Sequence, residues 1–135
     1  MKGLNQLRDE IHQNAKEKGF YEIDSMIEQL DAISQNKIKH ALFAQRIALI
    51  HSELSEALEA DRKDRYATFG CDAYSDGFDK KSFEIWIKDT VQDEIADSII
   101  RLLDLCGNMN IDIEKHVELK MLYNSSREKF HGKTY

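Results

Sequence analysis

The chain has 135 residues, 41% of them apolar and 33% charged, a composition that fits one soluble globular domain spanning 1–135. Its net charge of −6 argues against a general nucleic-acid binder, although local Lys and Arg can still hold a small anion. Two cysteines form neither a disulfide framework nor a zinc spacing, and no apolar run suits a signal peptide or a membrane span, so a cytoplasmic protein with no membrane partner is expected.

The first predicted helix covers residues 4–18, with Leu4, Leu7, Ile11 and Ala15 on one face and Gly19 just past its end. It carries His12, and Phe20 and Tyr21 follow it. A shorter helix is expected over 24–34. The third spans 36–63, with Ile47, Ile50, Leu54 and Leu58 at helical spacing. Residues 66–78 hold Gly70 and Gly77 and show no period, so a long loop or insertion is expected near 64–80. The fourth helix covers 81–106, with Ile95, Ile99, Leu102 and Cys106 as its core stripe and Gly107 just beyond it. The fifth runs from about 111 to 129. No stretch alternates with period 2, so the class is all-α, a bundle of four to five helices.

Chemistry enters with two acidic pairs. Glu53 and Glu56, and Glu94 and Asp97, each stand at i, i+3, which puts both carboxylates of a pair on one helix face. One such pair alone reads as a solvated face. Glu53 and Glu56, however, sit in an otherwise apolar turn region beside Ile50 and Leu54. Two pairs on neighbouring helices bring four carboxylates together, and their repulsion calls for a divalent cation. Hard oxygen donors suit Mg²⁺, with Mn²⁺ as the alternative.

A second constellation is basic. Lys120, Asn124 and Arg127 share a face with His116, the weakest member of the group. Lys is a mobile point donor to phosphate, and Arg grips two oxygens at once. By itself this face reads as a basic helix end complementing the helix dipole; beside a metal cage it reads as a polyphosphate clamp. Arg101, one turn after Asp97, is placed to reach phosphates or to pair with Asp104. No P-loop, Rossmann glycine motif or nucleophile elbow is present.

These residues resemble the MazG-type all-α nucleoside triphosphate pyrophosphatases. That family pairs an E-x-x-E helix with an E-x-x-D helix, here Glu53-Leu-Ser-Glu56 and Glu94-Ile-Ala-Asp97. A K-x-x-x-N-x-x-R segment follows, here Lys120 to Arg127, and then His131-Gly132. The stretch from Ile11 to Phe20 is similar to the family's opening helix. The likeness covers most of the chain in order. It implies one MazG-like domain that hydrolyses a nucleoside triphosphate to a monophosphate and pyrophosphate, as in cleaning of the nucleotide pool.

The resemblance further implies Mg²⁺ on Glu53, Glu56, Glu94 and Asp97, with one of these, directly or through nearby Asp93, taking a proton from water. It puts Lys120, Asn124 and Arg127 on phosphate or sugar, and His12 and Tyr21 near the base. It also implies a homodimer or homotetramer. The 37 residues between Glu56 and Glu94 exceed the family's usual connection, which leaves the base preference open. A di-iron carrier is disfavoured because the only Glu-x-x-His spacing is Glu128 to His131, at the end of the chain. The alternative is a non-catalytic helical protein that binds a metal or a partner.

Overall fold

A computed structural model describes residues 2–68 and 77–127. Six helices stand among the described residues, and no strand: α1 (Leu4–Glu17), α2 (Glu22–Ile27), α3 (Ala32–Arg62), α4 (Lys80–Trp86), α5 (Val91–Asn108) and α6 (Ile113–Ser125). The all-α class holds. The helix count exceeds the expected four to five because the predicted fourth helix is divided in two; the predicted second is divided as well, but its last residues open α3 and add no helix. No helix among the described residues is long and apolar enough to cross a membrane.

Each division has a local cause. The segment expected as one helix over 24–34 turns at Glu28–Asp31. The Asp31 carboxylate then accepts from the backbone N–H of Ile33 and Ser34 at 3.1 and 3.0 Å, which starts a new helix. Such an N-cap contributes about 1 kcal/mol. The predicted fourth helix breaks after Trp86. Asp89 adopts φ 57°, and its N–H donates to the Asp93 carboxylate at 2.9 Å across the first turn of α5. The start of α4 is capped by Asp79, which accepts from Ser82 N–H at 2.9 Å.

Helix ends use left-handed residues other than glycine. Asp64 (φ 54°) follows α3, with Arg65 N–H donating to Ala60 carbonyl at 2.9 Å. Asn110 (φ 51°) follows α5, with Ile111 N–H donating to Cys106 carbonyl at 2.9 Å. Both are Schellman closures, in which short polar side chains tolerate the left-handed conformation. Gly107 therefore lies inside α5, not beyond it as expected. Gly19 (φ 85°) does end α1 as read from sequence. Within 64–80, residues 64–68 and 77–79 are non-helical; Gly70 and Cys71 lie outside the described residues.

The chain divides into two compact units. One comprises Met1–Gly19 and Leu103–Tyr135. In it α1 packs on α6. Asn5 Nδ2 donates to Asp112 at 2.7 Å, the Glu114 carboxylate accepts from Asn5 N–H at 3.3 Å, and Arg8 donates to the Ile111 carbonyl. Leu103, Leu105 and Cys106 are buried in it. Burial pushes the Cys106 thiol up, as suits the core position expected of it.

The other unit is Phe20–Leu102. Ile27, Ile50, Ala57, Ala60 and Ile87 are buried in it, together with Glu53, Thr90, Glu94 and Ser98. This corrects the expected core stripes. On α3 the buried line is Ile50, Glu53, Ala57 and Ala60, while Leu54 and Leu58 are exposed. On α5 Glu94 and Ser98 are buried, while Ile95, Ile99 and Leu102 are exposed. Both helices are apolar on more than one side, and the packed side is the one that carries the carboxylates. The end of α3 is tied to the start of α5: Val91 N–H donates to the Arg65 carbonyl at 3.0 Å, and Ala67 N–H to Gln92 Oε1 at 2.9 Å. That tie fixes the register of Glu94 against α3.

Candidate metal centre

Glu53 and Glu56 stand one turn apart on α3, and Glu94 stands near the start of α5. One carboxylate oxygen from each of the three lies within 4.8 Å of the other two. The i, i+3 spacing sets the first pair on one face, and the α3–α5 packing brings in the third. Glu53 and Glu94 are only 7% and 6% exposed, whereas Glu56 is open to solvent.

The partners of these carboxylates differ. Arg101 Nε donates to Glu53 Oε1 at 2.6 Å. The Glu94 carboxylate accepts no hydrogen bond from any described residue. Its pKa is pushed up to about 7, first by burial and then by the negative charges of Glu56, Asp93, Glu53 and Asp97. A poorly solvated carboxyl facing two further carboxylates is costly when ionised. A hard divalent cation removes that cost, and the all-oxygen donor set fits Mg²⁺ or Mn²⁺.

Asp97, expected as a fourth ligand, is exposed and does not join the three-residue group. It is nevertheless close enough that Asp93, Glu53 and Glu56 raise its pKa, after burial, while Arg101 opposes them. A second acidic group, Asp89, Asp93 and Glu94, shares Glu94 with the first. Arg65 and Lys88 lie 3.7 Å from Asp89, and Asp93 is engaged by the Asp89 N–H, so two of its three members have local partners.

The remaining predicted residues stand as follows. Arg101 meets Glu53, neither of the two roles read for it in the sequence; Asp104 instead pairs with His12, Oδ1 to Nδ1 at 2.8 Å. Tyr21 precedes α2, and the Arg46 guanidinium covers one face of its ring at 4.6 Å. Asp24 holds Arg46 at 2.7 Å. Phe20 is exposed.

Lys120 and Asn124 lie on α6, and Arg127 lies just past its end, because the helix closes at Ser125 rather than near 129. Tyr123 is the member that sequence reasoning missed. Lys120 Nζ sits 4.9 Å from its ring centre and Arg127 sits 5.7 Å from it, so one aromatic ring organises both cations. Its signal was its place one residue before Asn124, between two cations at helical spacing. His116 is exposed. Glu128, His131, Gly132 and Lys133 lie outside the described residues.

Comparison of the chain with family models, with curated proteins and with solved structures yields no match.

Proposed function

We propose that the chain is a Mg²⁺-dependent nucleoside triphosphate pyrophosphohydrolase of the MazG-like kind, releasing a nucleoside monophosphate and pyrophosphate. The observation that carries this reading is Glu94: a residue only 6% exposed whose carboxylate lies within 4.8 Å of those of Glu53 and Glu56. An arrangement so unfavourable without a cation is expected at a functional site rather than in a structural core.

When bound, Mg²⁺ or Mn²⁺ supplies charge neutralisation for phosphate oxygens and a polarised water. Glu53, Glu56 and Glu94 are the ligands, with Asp97 as a further ligand or a proton acceptor. The resemblance assigns phosphate and sugar contacts to Lys120, Asn124 and Arg127, and base contacts to His12 and Tyr21. The Lys120–Tyr123–Arg127 arrangement supports an anion-binding role, since two cations gather at one ring. The wide exposure of Leu54, Leu58, Ile95, Ile99 and Leu102 supports a homodimer or homotetramer.

A panel of standard and modified nucleoside triphosphates, incubated with Mg²⁺ or with a chelator, tests the reading. Metal-dependent release of pyrophosphate, not orthophosphate, from at least one of them is expected. No turnover of any with Mg²⁺ or Mn²⁺ overturns the enzymatic reading and leaves a non-catalytic metal- or partner-binding protein.

A further inference from the structure

Arg101 is the one cation hydrogen-bonded to the carboxylate trio among the described residues. Its Nε donates to Glu53 Oε1 at 2.6 Å, and Glu53 is buried while the Arg101 side chain is 44% exposed. Glu94, Asp97 and Arg101 stand at i, i+3 and i+7 on α5, so the guanidinium rises from the same face as two of the acidic groups. Its charge also reaches Asp97, whose carboxyl it pulls down against the neighbouring carboxylates.

A guanidinium stays charged at any pH a protein survives, so it cannot make room for a metal by losing a proton. A divalent cation on Glu53 and Arg101 on the same carboxylate would repel one another at close range. The two partners differ in their freedom to respond. Glu53 is fixed in the packed side of α3, whereas Arg101 is a long, partly exposed arm. The arm is the part that moves.

We propose that Arg101 is the resident counter-ion of the cage: it holds Glu53 in the metal-free protein, gives up that carboxylate when a divalent cation enters, and is thereby freed to pair with an anionic ligand beside the cation. This rests on the metal-site reading above. It makes Arg101 a positioning residue for Glu53 in one state and an anion partner in the other. It also sets a cost on metal entry, because a cation that takes Glu53 Oε1 displaces the Arg101 Nε–H held there.

The full-length chain tests this by two measurements. In ¹⁵N-labelled protein, the Arg101 Nε–H signal, identified by its loss in R101K, is expected to be exchange-protected without metal and to lose that protection as Mg²⁺ saturates the site. Separately, R101Q is expected to melt lower than the unsubstituted chain in chelator, yet to bind Mn²⁺ roughly three- to tenfold tighter, the range for losing a partly exposed competing ion pair. An Arg101 signal unchanged at Mg²⁺ saturation, or Mn²⁺ affinity in R101Q equal to or weaker than in the unsubstituted chain, overturns the counter-ion role while leaving the metal site intact. Should R101Q fail to fold, the Nε–H titration decides alone. Absence of Mg²⁺ and Mn²⁺ binding to the unsubstituted chain overturns the metal-site reading itself, and the exchange with it.

Discussion

Gly107 lies against His12 so closely that a Cβ at position 107 would stand 2.5 Å from the His12 Cβ. The contact is between a helix backbone and the root of a side chain, so no flexible tip can move aside. Glycine is thus retained inside α5 although it costs a helix about 1 kcal/mol relative to alanine. G107A gains that propensity but forces α1 and the end of α5 apart, at about 1–3 kcal/mol. We expect a net loss of stability in chemical denaturation and a weakened His12–Asp104 pair. A more stable G107A protein would show that the close approach is not maintained.

The Glu94 carboxyl gives the metal-free protein a pH signature. Its pKa is raised from 4.5 to about 7, so the folded state holds this proton more tightly than the unfolded chain does. The stability that comes from the neutral form is fully present below pH 4.5 and is lost as the pH rises through about 7. In chelator, E94Q should therefore melt higher than the unsubstituted chain at about pH 8, and the two should converge near pH 4.5. Calorimetry across this range checks it; a lower melting temperature for E94Q at alkaline pH contradicts it.

The cations beside Tyr123 should serve the anion rather than the metal. K120A and R127A are each expected to lower kcat/KM for a triphosphate roughly 10- to 100-fold, the loss of one charge-assisted phosphate contact. Mn²⁺ affinity, read by titration calorimetry, should stay within about twofold in both variants, since neither residue supplies a metal ligand. A parallel collapse of metal binding would assign them a structural role instead.

The exposed apolar residues of α3 and α5 predict self-association. L54E and I99E place a charge on these faces without touching the buried line through Ile50, Glu53 and Ala57. Sedimentation should show the unsubstituted chain as a dimer or tetramer and the variants shifted towards the monomer. A monomeric unsubstituted chain at micromolar concentration contradicts the assembly.

Much of the fold was legible because helical period and spacing are local properties. The acidic i, i+3 pairs needed only a helix to share a face, and α3 and α5 supply it. What the sequence concealed was which side of each helix is packed. On α5, Ile95, Ile99 and Leu102 form as regular a series as Glu94 and Ser98, and only tertiary contact distinguishes them. The helix breaks were hidden for a different reason. Asp31, Asp64, Asp89 and Asn110 do the capping and left-handed turning for which glycine is the usual signal, and an acidic residue in an acidic chain does not stand out. Arg101 had two plausible partners in sequence, and the structure pairs it with Glu53, 48 positions away.

Whether Glu53, Glu56 and Glu94 hold a divalent cation is decided by a Mn²⁺ titration followed by electron paramagnetic resonance. The unsubstituted chain should take up Mn²⁺ saturably, Mg²⁺ should displace it, and E94Q, folded and at least as stable in chelator near pH 8, should lose most of that affinity. Unsubstituted chain that leaves all Mn²⁺ free in solution, or E94Q that binds it equally well, would contradict the account.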